Sequence, residues 1–273
     1  MACFVFQNKR VHYEEYGQGR PLVILNGIMM SCLSWSEFVE PFSARNRLIL
    51  VDFLDQGKSD RMEDGAPYTQ AVQVELVAAL LDHLDLEKAC LTGISYGGEV
   101  ALQFAVKYPE RLDRLILFNT TARTGPWLGD IGDAWNLASG DPDAYYLTTI
   151  PVIYSPGFYC RKNDWMNARR EALRPLFGDR RFLSAMIRLT NSARDYDVSE
   201  RLHQIKAPTL VVSCEQDYLT PMEEQRLLVS RIPNSEYVVI PGCGHASMYE
   251  KPLLFASLVL GFANAGKTEY HIT

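Results

Sequence analysis

Short, unbroken apolar runs alternate with segments of helical spacing through most of this 273-residue chain. Residues 69–84 and 99–107 carry apolar side chains at helical intervals, and each segment is followed by an apolar run. Runs that are apolar on both faces are typical of strands in a parallel sheet covered by helices on both sides. The pattern therefore predicts an α/β fold with a mostly parallel central sheet. The first four such runs are residues 22–25, 48–51, 89–92 and 112–118.

The alternation stops after residue 121 and resumes near residue 207. Residues 122–199 are rich in aromatic residues, proline and arginine, and we interpret them as a helical cap inserted over the sheet. Residues 1–121 and 200–265 would then form one core that begins with a hairpin, and a tail at residues 266–273 would follow it. The interpretation predicts strands at 207–213 and 237–240, and helices at 33–43, 221–231 and 253–263.

The bulk composition excludes several classes of protein. The net charge of −6 argues against a nucleic-acid-binding protein, and no apolar run has the roughly 18 residues of a membrane span. Six scattered cysteines form no C-x-x-C pair and no spacing of metal ligands. We therefore expect reduced thiols, no metal site and a cytoplasmic location, since no secretion signal is visible at the start.

The segment Gly93-Ile94-Ser95-Tyr96-Gly97 lies between a predicted strand and a predicted helix. A turn this tight leaves no room for side chains at its flanking positions, and it holds the serine hydroxyl exposed. The backbone N–H of Tyr96 begins the helix, so it has no acceptor within the helix and can face a developing oxyanion. The segment has the features of a nucleophile elbow with Ser95 as the nucleophile.

A serine nucleophile needs a histidine base and a carboxylate that orients the base. Of the five histidines, His245 alone lies in a glycine-rich loop after a predicted strand, where ligands gather in open parallel sheets. Asp217 follows the preceding strand and is the expected acid, with Glu215 as its nearest competitor. The structural alternatives are an ordinary loop histidine and an aspartate that caps a turn. The predicted strand at residues 112–118 is followed by Asn119 and not by an acidic residue, which favours Asp217.

These motifs resemble those of serine hydrolases with the α/β-hydrolase fold, and the likeness covers residues 11–263. It rests on the elbow, on Asp217-x-x-Thr-Pro and on Gly-His245 followed by Glu-Lys-Pro, with the chain order Ser, Asp, His. The resemblance implies a second oxyanion donor after the first core strand. By position this donor is the backbone N–H of Ile28, with Met29 as the near alternative.

At two positions this sequence departs from the family pattern, and there it resembles bacterial hydroxyacyl-carrier-protein acyltransferases. Asn26-Gly27 replaces the usual His-Gly, and Asp55 stands where a glycine is usual in the segment from Asp52 to Ser59. Residues 160–194 also contain nine basic and three acidic residues. Such a basic surface could bind an acyl carrier protein or the phosphates of coenzyme A. The simpler interpretation is the solvated face of cap helices.

The resulting functional prediction is hydrolysis of a carboxylic ester or thioester through an acyl-serine intermediate, without a metal or organic cofactor. Ser95 would be the nucleophile, His245 would accept and return the proton, and Asp217 would orient His245. The N–H groups of Tyr96 and Ile28 would bind the oxyanion. Two alternatives stay open: transfer of a hydroxyacyl thioester to an alcohol or thiol, and a ligand-sensing module with little turnover. The predicted substrate-binding side chains are Met29, Trp127 and Trp135.

Overall fold

The computed structural model describes residues 2–266, so residues 267–273 of the predicted tail lie outside the described residues. Its centre is one eight-stranded sheet with the strand order β1-β2-β4-β3-β5-β6-β7-β8. Only the β1–β2 and β2–β4 pairs are antiparallel, and the other five pairs are parallel. The strands are β1 Ala2–Phe6, β2 Lys9–Tyr16, β3 Arg20–Leu25, β4 Asn46–Val51, β5 Ala89–Ile94, β6 Leu112–Phe118, β7 Thr209–Cys214 and β8 Ser235–Ile240.

Helices cover both faces of the sheet. Six of them accompany the strands: α1 Val39–Ser43, α2 Gln70–His83, α3 Tyr96–Lys107, α9 Met222–Arg231, α10 Ser247–Glu250 and α11 Pro252–Ala263. On one face α2 packs against α3, and α3 packs against β5 and β6. On the other face α1 packs against β4 and α11 against β6, and the two helices contact each other. The predicted α/β fold with helices on both faces is confirmed.

Burial explains why the predicted apolar runs became parallel strands. Every residue of β5 and β7 is buried, as expected for strands with helices on both sides. The edge strand β1 instead alternates between buried and exposed residues. Aromatic packing then fixes α11 on the sheet, because the rings of Phe118 and Phe255 lie 4.5 Å apart, measured between centroids.

The helix predicted for residues 33–43 is wrong in its first half. Cys32–Phe38 is a 3-10 helix, and only Val39–Ser43 is α-helical. The indole of Trp35 is buried and donates a hydrogen bond to the side chain of Asn26. The conformation of this segment depends on the contact between Trp35 and Asn26, which the spacing of apolar residues does not predict.

Five helices lie between β6 and β7: α4 Pro126–Ala138, α5 Pro142–Thr149, α6 Pro156–Arg161, α7 Asn163–Phe177 and α8 Arg180–Ser192. We call this segment the helical insertion; the boundaries 122–199 of a separate cap stay a prediction. Its own aromatic residues pack together, for example Phe177 against Tyr145 at 4.9 Å between ring centroids. Among residues 2–266, no helix has the length and apolar character needed to cross a bilayer.

Candidate active site

The turn between β5 and α3 holds Ser95 in a strained conformation. Its φ of 54° and ψ of −121° lie outside the backbone regions that residues other than glycine ordinarily adopt. A Cβ atom on Gly93 would lie 2.6 Å from the carbonyl oxygen of Gly97, and one on Gly97 would lie 2.1 Å from that of Leu25. Both glycines are therefore sterically required. The geometry is that expected of a nucleophile elbow.

His245 and Asp217 form a buried hydrogen-bonded pair. The Nδ1 of His245 donates to the Oδ2 of Asp217 at 2.8 Å. Asp217 also accepts the backbone N–H groups of Leu219 at 2.8 Å and Thr220 at 3.1 Å, and the Thr220 hydroxyl at 2.9 Å. Four donors thus hold the carboxylate in one orientation. This leaves the Nε2 of His245 as the ring nitrogen that can exchange a proton with a substrate.

The competing acidic position has a different role. Glu215 accepts the backbone N–H of Gly242 at 2.7 Å, so its carboxylate braces the loop that precedes His245. Asn119, which directly follows β6, donates its side-chain amide to the carbonyl oxygen of His245 at 2.6 Å. Both side chains position the histidine loop, and Asp217 alone of the three contacts the imidazole.

Two cavities meet at Ser95. One, of about 370 Å³, is lined by Ser95 and His245, and we call it the histidine cavity. The other, of about 360 Å³, is lined by Ser95 and Glu99, and we call it the Glu99 cavity. The Ser95 hydroxyl makes no side-chain hydrogen bond among residues 2–266, to His245 or to any other residue, so the structure brings the serine and the histidine together by their lining of one cavity and not by a direct bond. The two cavities share four lining residues: Ile28, Ser95, Trp135 and Leu219.

The loop after β3 is fixed from behind by Gln56. The Gln56 side-chain amide donates to the carbonyl oxygens of Gly27 at 2.8 Å and Ile28 at 3.1 Å. The adjacent Asn26 donates to the carbonyl oxygen of Val51 at 2.8 Å. Because these carbonyls point toward Gln56, the N–H groups of Ile28 and Met29 have no backbone acceptor in the described chain. Either N–H can therefore complement that of Tyr96, which begins α3.

The predicted substrate-binding side chains have different positions. Met29 lines the histidine cavity, and Trp135 lines both cavities. Trp127 lines neither cavity; its side chain is 57% exposed, and its indole N–H donates to the carbonyl oxygen of Tyr218 at 2.6 Å. The prediction for Trp127 does not fit this position, because an aromatic residue in a helix can fasten the helix to the core instead of facing a substrate.

An ion pair that the sequence did not reveal joins the helical insertion to the core. Asp55 has a φ of 71°, in the left-handed region that favours glycine, at the position where the sequence resemblance implies a glycine. Its carboxylate is completely buried and receives Arg188 of α8 through Nε at 3.0 Å and Nη2 at 2.5 Å. The pair holds the Arg188 guanidinium charged by raising its pKa above the usual value. Asp55 directly precedes Gln56, so α8 is linked to the predicted oxyanion loop.

Glu250 makes a second link between the histidine loop and the insertion. Its carboxylate accepts the backbone N–H groups of Gly244 at 3.1 Å and Ser155 at 2.7 Å, and the Ser155 hydroxyl at 2.5 Å. The glycine at position 244 is needed, since a Cβ there would lie 2.4 Å from the Ser155 nitrogen. The Glu-Lys-Pro sequence was a visible signal, but its partner Ser155 was not.

One cluster among residues 2–266 has the chemistry of metal ligands: His12, Cys32 and Asp52, with ligand atoms within 4.8 Å of one another. Asp52 already accepts the backbone N–H groups of Cys32 at 2.7 Å and Lys58 at 2.8 Å. Burial and the nearby Asp52 raise the pKa of the Cys32 thiol far above its usual range, which disfavours a thiolate ligand. The cluster therefore serves the structure of these loops.

Comparison with known proteins agrees with this geometry. The profile of the Alpha/beta hydrolase family matches residues 22–258. The chain is 30% identical over 264 residues to a 2-hydroxy-6-oxononadienedioate/2-hydroxy-6-oxononatrienedioate hydrolase of Paraburkholderia phymatum, covering 93% of this chain and 90% of that protein.

Two solved structures are similar over nearly the whole chain. The alpha/beta hydrolase MGS-M2 from a Medee basin deep-sea metagenome library has a TM-score of 0.96 and 51% identity, covering 99% of this chain and 100% of that one. A thermophilic esterase from Thermogutta terrifontis has a TM-score of 0.80 and 26% identity, covering 93% of each chain. With its fold, its elbow and its family profile in agreement, this chain belongs to the alpha/beta hydrolase family.

Proposed function

We propose that this protein hydrolyses a carboxylic ester or thioester through an acyl-serine intermediate. The observation that carries the proposal is the shared cavity of Ser95 and His245, in which the base is held by a buried aspartate. Relatives that are hydrolases, and the similarity to an esterase, support water as the acceptor.

In the proposed reaction Ser95 attacks the substrate carbonyl while His245 accepts the hydroxyl proton at Nε2. The resulting oxyanion is bound by the backbone N–H groups of Tyr96 and Ile28. His245 returns the proton to the leaving oxygen or sulfur atom, and Asp217 stabilises the imidazolium between these steps. Water then attacks the acyl-serine with His245 again as the base, which releases the acid and regenerates the hydroxyl.

The test is a panel of 4-nitrophenyl esters, lactones and acyl thioesters, measured with the purified protein. Ser95→Ala should lower kcat by about a thousandfold or more, as when a triad member is removed in other serine hydrolases. Ser230→Ala is the matched control, because Ser230 lies on α9 and, within the described part of the chain, its hydroxyl bonds only the carbonyl oxygen of Leu227. Activity that survives in Ser95→Ala would contradict the proposal.

Acyl transfer uses the same residues, so the acceptor distinguishes the two reactions. The predicted docking of a carrier protein through the basic insertion stays a proposal, and the ion pairs reduce the charge that is available for it. Four of the nine basic side chains, Arg170, Arg174, Arg188 and Arg194, pair with aspartates of this chain. With a hydroxyacyl thioester and a hydroxyacyl acceptor we expect free acid; a joined product would favour transfer.

A ligand-sensing module would keep the same residues but show little turnover. Labelling of Ser95 by a fluorophosphonate, together with many turnovers of a 4-nitrophenyl ester, would argue against a sensor. Stoichiometric labelling without turnover would favour it.

A second candidate reaction is hydrolysis of a 2-hydroxy-6-oxo acid, which the names of several relatives contain. Such a substrate has a ketone and no ester, so its hydrolysis breaks a carbon–carbon bond. The supporting observation is Arg169, which lines the histidine cavity and stacks on Tyr249 at 4.8 Å from the ring centroid. Its buried Nε has no hydrogen-bond partner in the described part of the chain, so it can receive a substrate carboxylate. Turnover of such an acid, lost in Arg169→Met, would support this candidate.

A further inference from the structure

Glu99 carries a buried carboxyl group close to the nucleophile Ser95. The proposed reaction does not use this carboxyl group. It lies on α3 four residues after Ser95, which corresponds to about 6 Å along the helix axis. The residue is only 4% exposed, and it lines the Glu99 cavity. A carboxyl group in such a place is unfavourable unless its oxygens find partners.

Only half of this carboxyl group is satisfied by the protein. Gln70 donates its side-chain amide to the Oε2 of Glu99 at 2.5 Å, and Gln103 in turn donates to Gln70 at 2.8 Å. The Oε1 of Glu99 has no hydrogen-bond partner among residues 2–266. The unpaired oxygen therefore belongs to a group that is more than nine-tenths buried and that borders the Glu99 cavity.

The two cavities would hold different parts of the substrate when Ser95 is acylated. His245 must give its proton to the leaving atom, so the leaving group lies on the side of the histidine cavity, which His245 lines. In the tetrahedral intermediate the acyl carbon carries the Ser95 oxygen, the oxyanion, the leaving group and one further substituent. That substituent is the acyl chain, and the remaining space that borders Ser95 is the Glu99 cavity.

We propose that the Glu99 cavity is the acyl subsite and that Glu99 there binds a hydroxyl group on an uncharged acyl chain. The inference rests on the proposed hydrolysis at Ser95. It adds the class of acyl group and the side chain that selects it.

A hydroxyl group fits Glu99 in either protonation state, because it can both donate and accept a hydrogen bond. This matters because burial raises the pKa of Glu99 to about 7, so both states are populated near neutral pH. A carboxylate on the acyl chain would meet the carboxyl groups of Glu99 and Asp130 in the same wall. The Arg194 guanidinium in that wall is already paired with Asp133. The acyl subsite therefore disfavours anionic chains.

The experiment compares four 4-nitrophenyl esters with one leaving group: hexanoate, 3-hydroxyhexanoate, 6-hydroxyhexanoate and the monoester of adipate. For the wild-type protein, kcat/KM should be about tenfold higher for at least one hydroxy ester than for hexanoate, as one hydrogen bond to a buried carboxyl predicts. It should be about tenfold lower for the adipate ester. Glu99→Leu should bring the hydroxy-to-plain ratio to about one, and the isosteric Glu99→Gln should retain part of it.

Glu75→Leu is the control variant, because the Glu75 carboxylate accepts hydrogen bonds from Lys107 and Tyr108 and lines neither cavity; its ratio should stay within twofold of wild type. Wild-type protein that favours neither hydroxy ester, or Glu99→Leu that keeps the preference, would overturn the inference. Thermal unfolding of the variants establishes that they are folded. Hydrolysis that survives Ser95→Ala would instead refute the proposed function, so the two failures are distinguishable.

Discussion

The ion pair between Arg188 and Asp55 yields a quantitative prediction about stability. Asp55 is completely buried, and the Arg188 side chain is 15% exposed. Arg188→Met keeps most of the aliphatic chain but leaves the Asp55 carboxylate without its charged partner. Removing one member of a buried ion pair lowers the free energy of unfolding by about 3 to 5 kcal/mol. Because Arg188 is partly exposed, we expect a loss of about 3 kcal/mol here.

In a chain of this length, about 1 kcal/mol changes Tm by about 2 to 4 °C, so Arg188→Met should lower Tm by about 6 °C or more. Asp64→Asn is the matched control, because Asp64 also contacts Arg188 at 2.5 Å but its side chain is 86% exposed. An exposed pair of this kind contributes no more than about 1 kcal/mol. Thermal unfolding followed by circular dichroism measures both variants.

The same substitution should affect catalysis, because Asp55 precedes the residue that holds the carbonyl of Ile28. We expect kcat to fall by about tenfold with a smaller change in KM, as when a donor that acts in the transition state is misplaced. A Tm for Arg188→Met close to that of Asp64→Asn would refute the reasoning. It would mean that α8 is held on the core by apolar packing alone.

Three further variants test other parts of the account. Glu99 has its pKa raised from 4.5 to about 7, so between these pH values the folded state binds more protons and its stability falls as pH rises, by about 3 kcal/mol in total. Glu99→Gln should remove that fall, and unfolding curves from pH 4 to pH 8 that match wild type would contradict it. Gln56→Leu should lower kcat by about 10- to 100-fold with little change in KM, because the oxyanion loop loses both of its carbonyl anchors; steady-state kinetics measures this, and an unchanged kcat would argue that the loop needs no anchor. Glu250→Ala should lower kcat and Tm together, since three donors lose their acceptor, and a change in Tm alone would show that the histidine loop does not depend on Glu250.

The sequence predicted the parts of this molecule that follow from local rules. The parallel sheet follows from runs that are apolar on both faces, and the conformation of Ser95 follows from glycines that no larger residue can replace. The pairing of Asp217 with His245 follows from the rule that the carboxyl ends of parallel strands meet at one edge. These inferences need no knowledge of how distant side chains pack.

The parts that could not be predicted depend on partners far apart in the chain. Arg188 is 133 residues from Asp55, and nothing near either residue signals the other. Trp127 illustrates the same limit. The aromatic composition of residues 122–199 suggested that it lines a pocket, but its indole binds the backbone of Tyr218. The free oxygen of Glu99 was equally hidden, since helical spacing places the residue on α3 but does not show which cavity it borders.

The most direct test of the central claim is to identify the residue that carries the acyl group during turnover. Mass spectrometry of protein quenched during hydrolysis of a slowly deacylated ester, followed by peptide mapping, locates it. We expect one acyl group on the peptide that contains Ser95, and none in Ser95→Ala. An acyl group on another residue, or rapid turnover with Ser95 never modified, would contradict it.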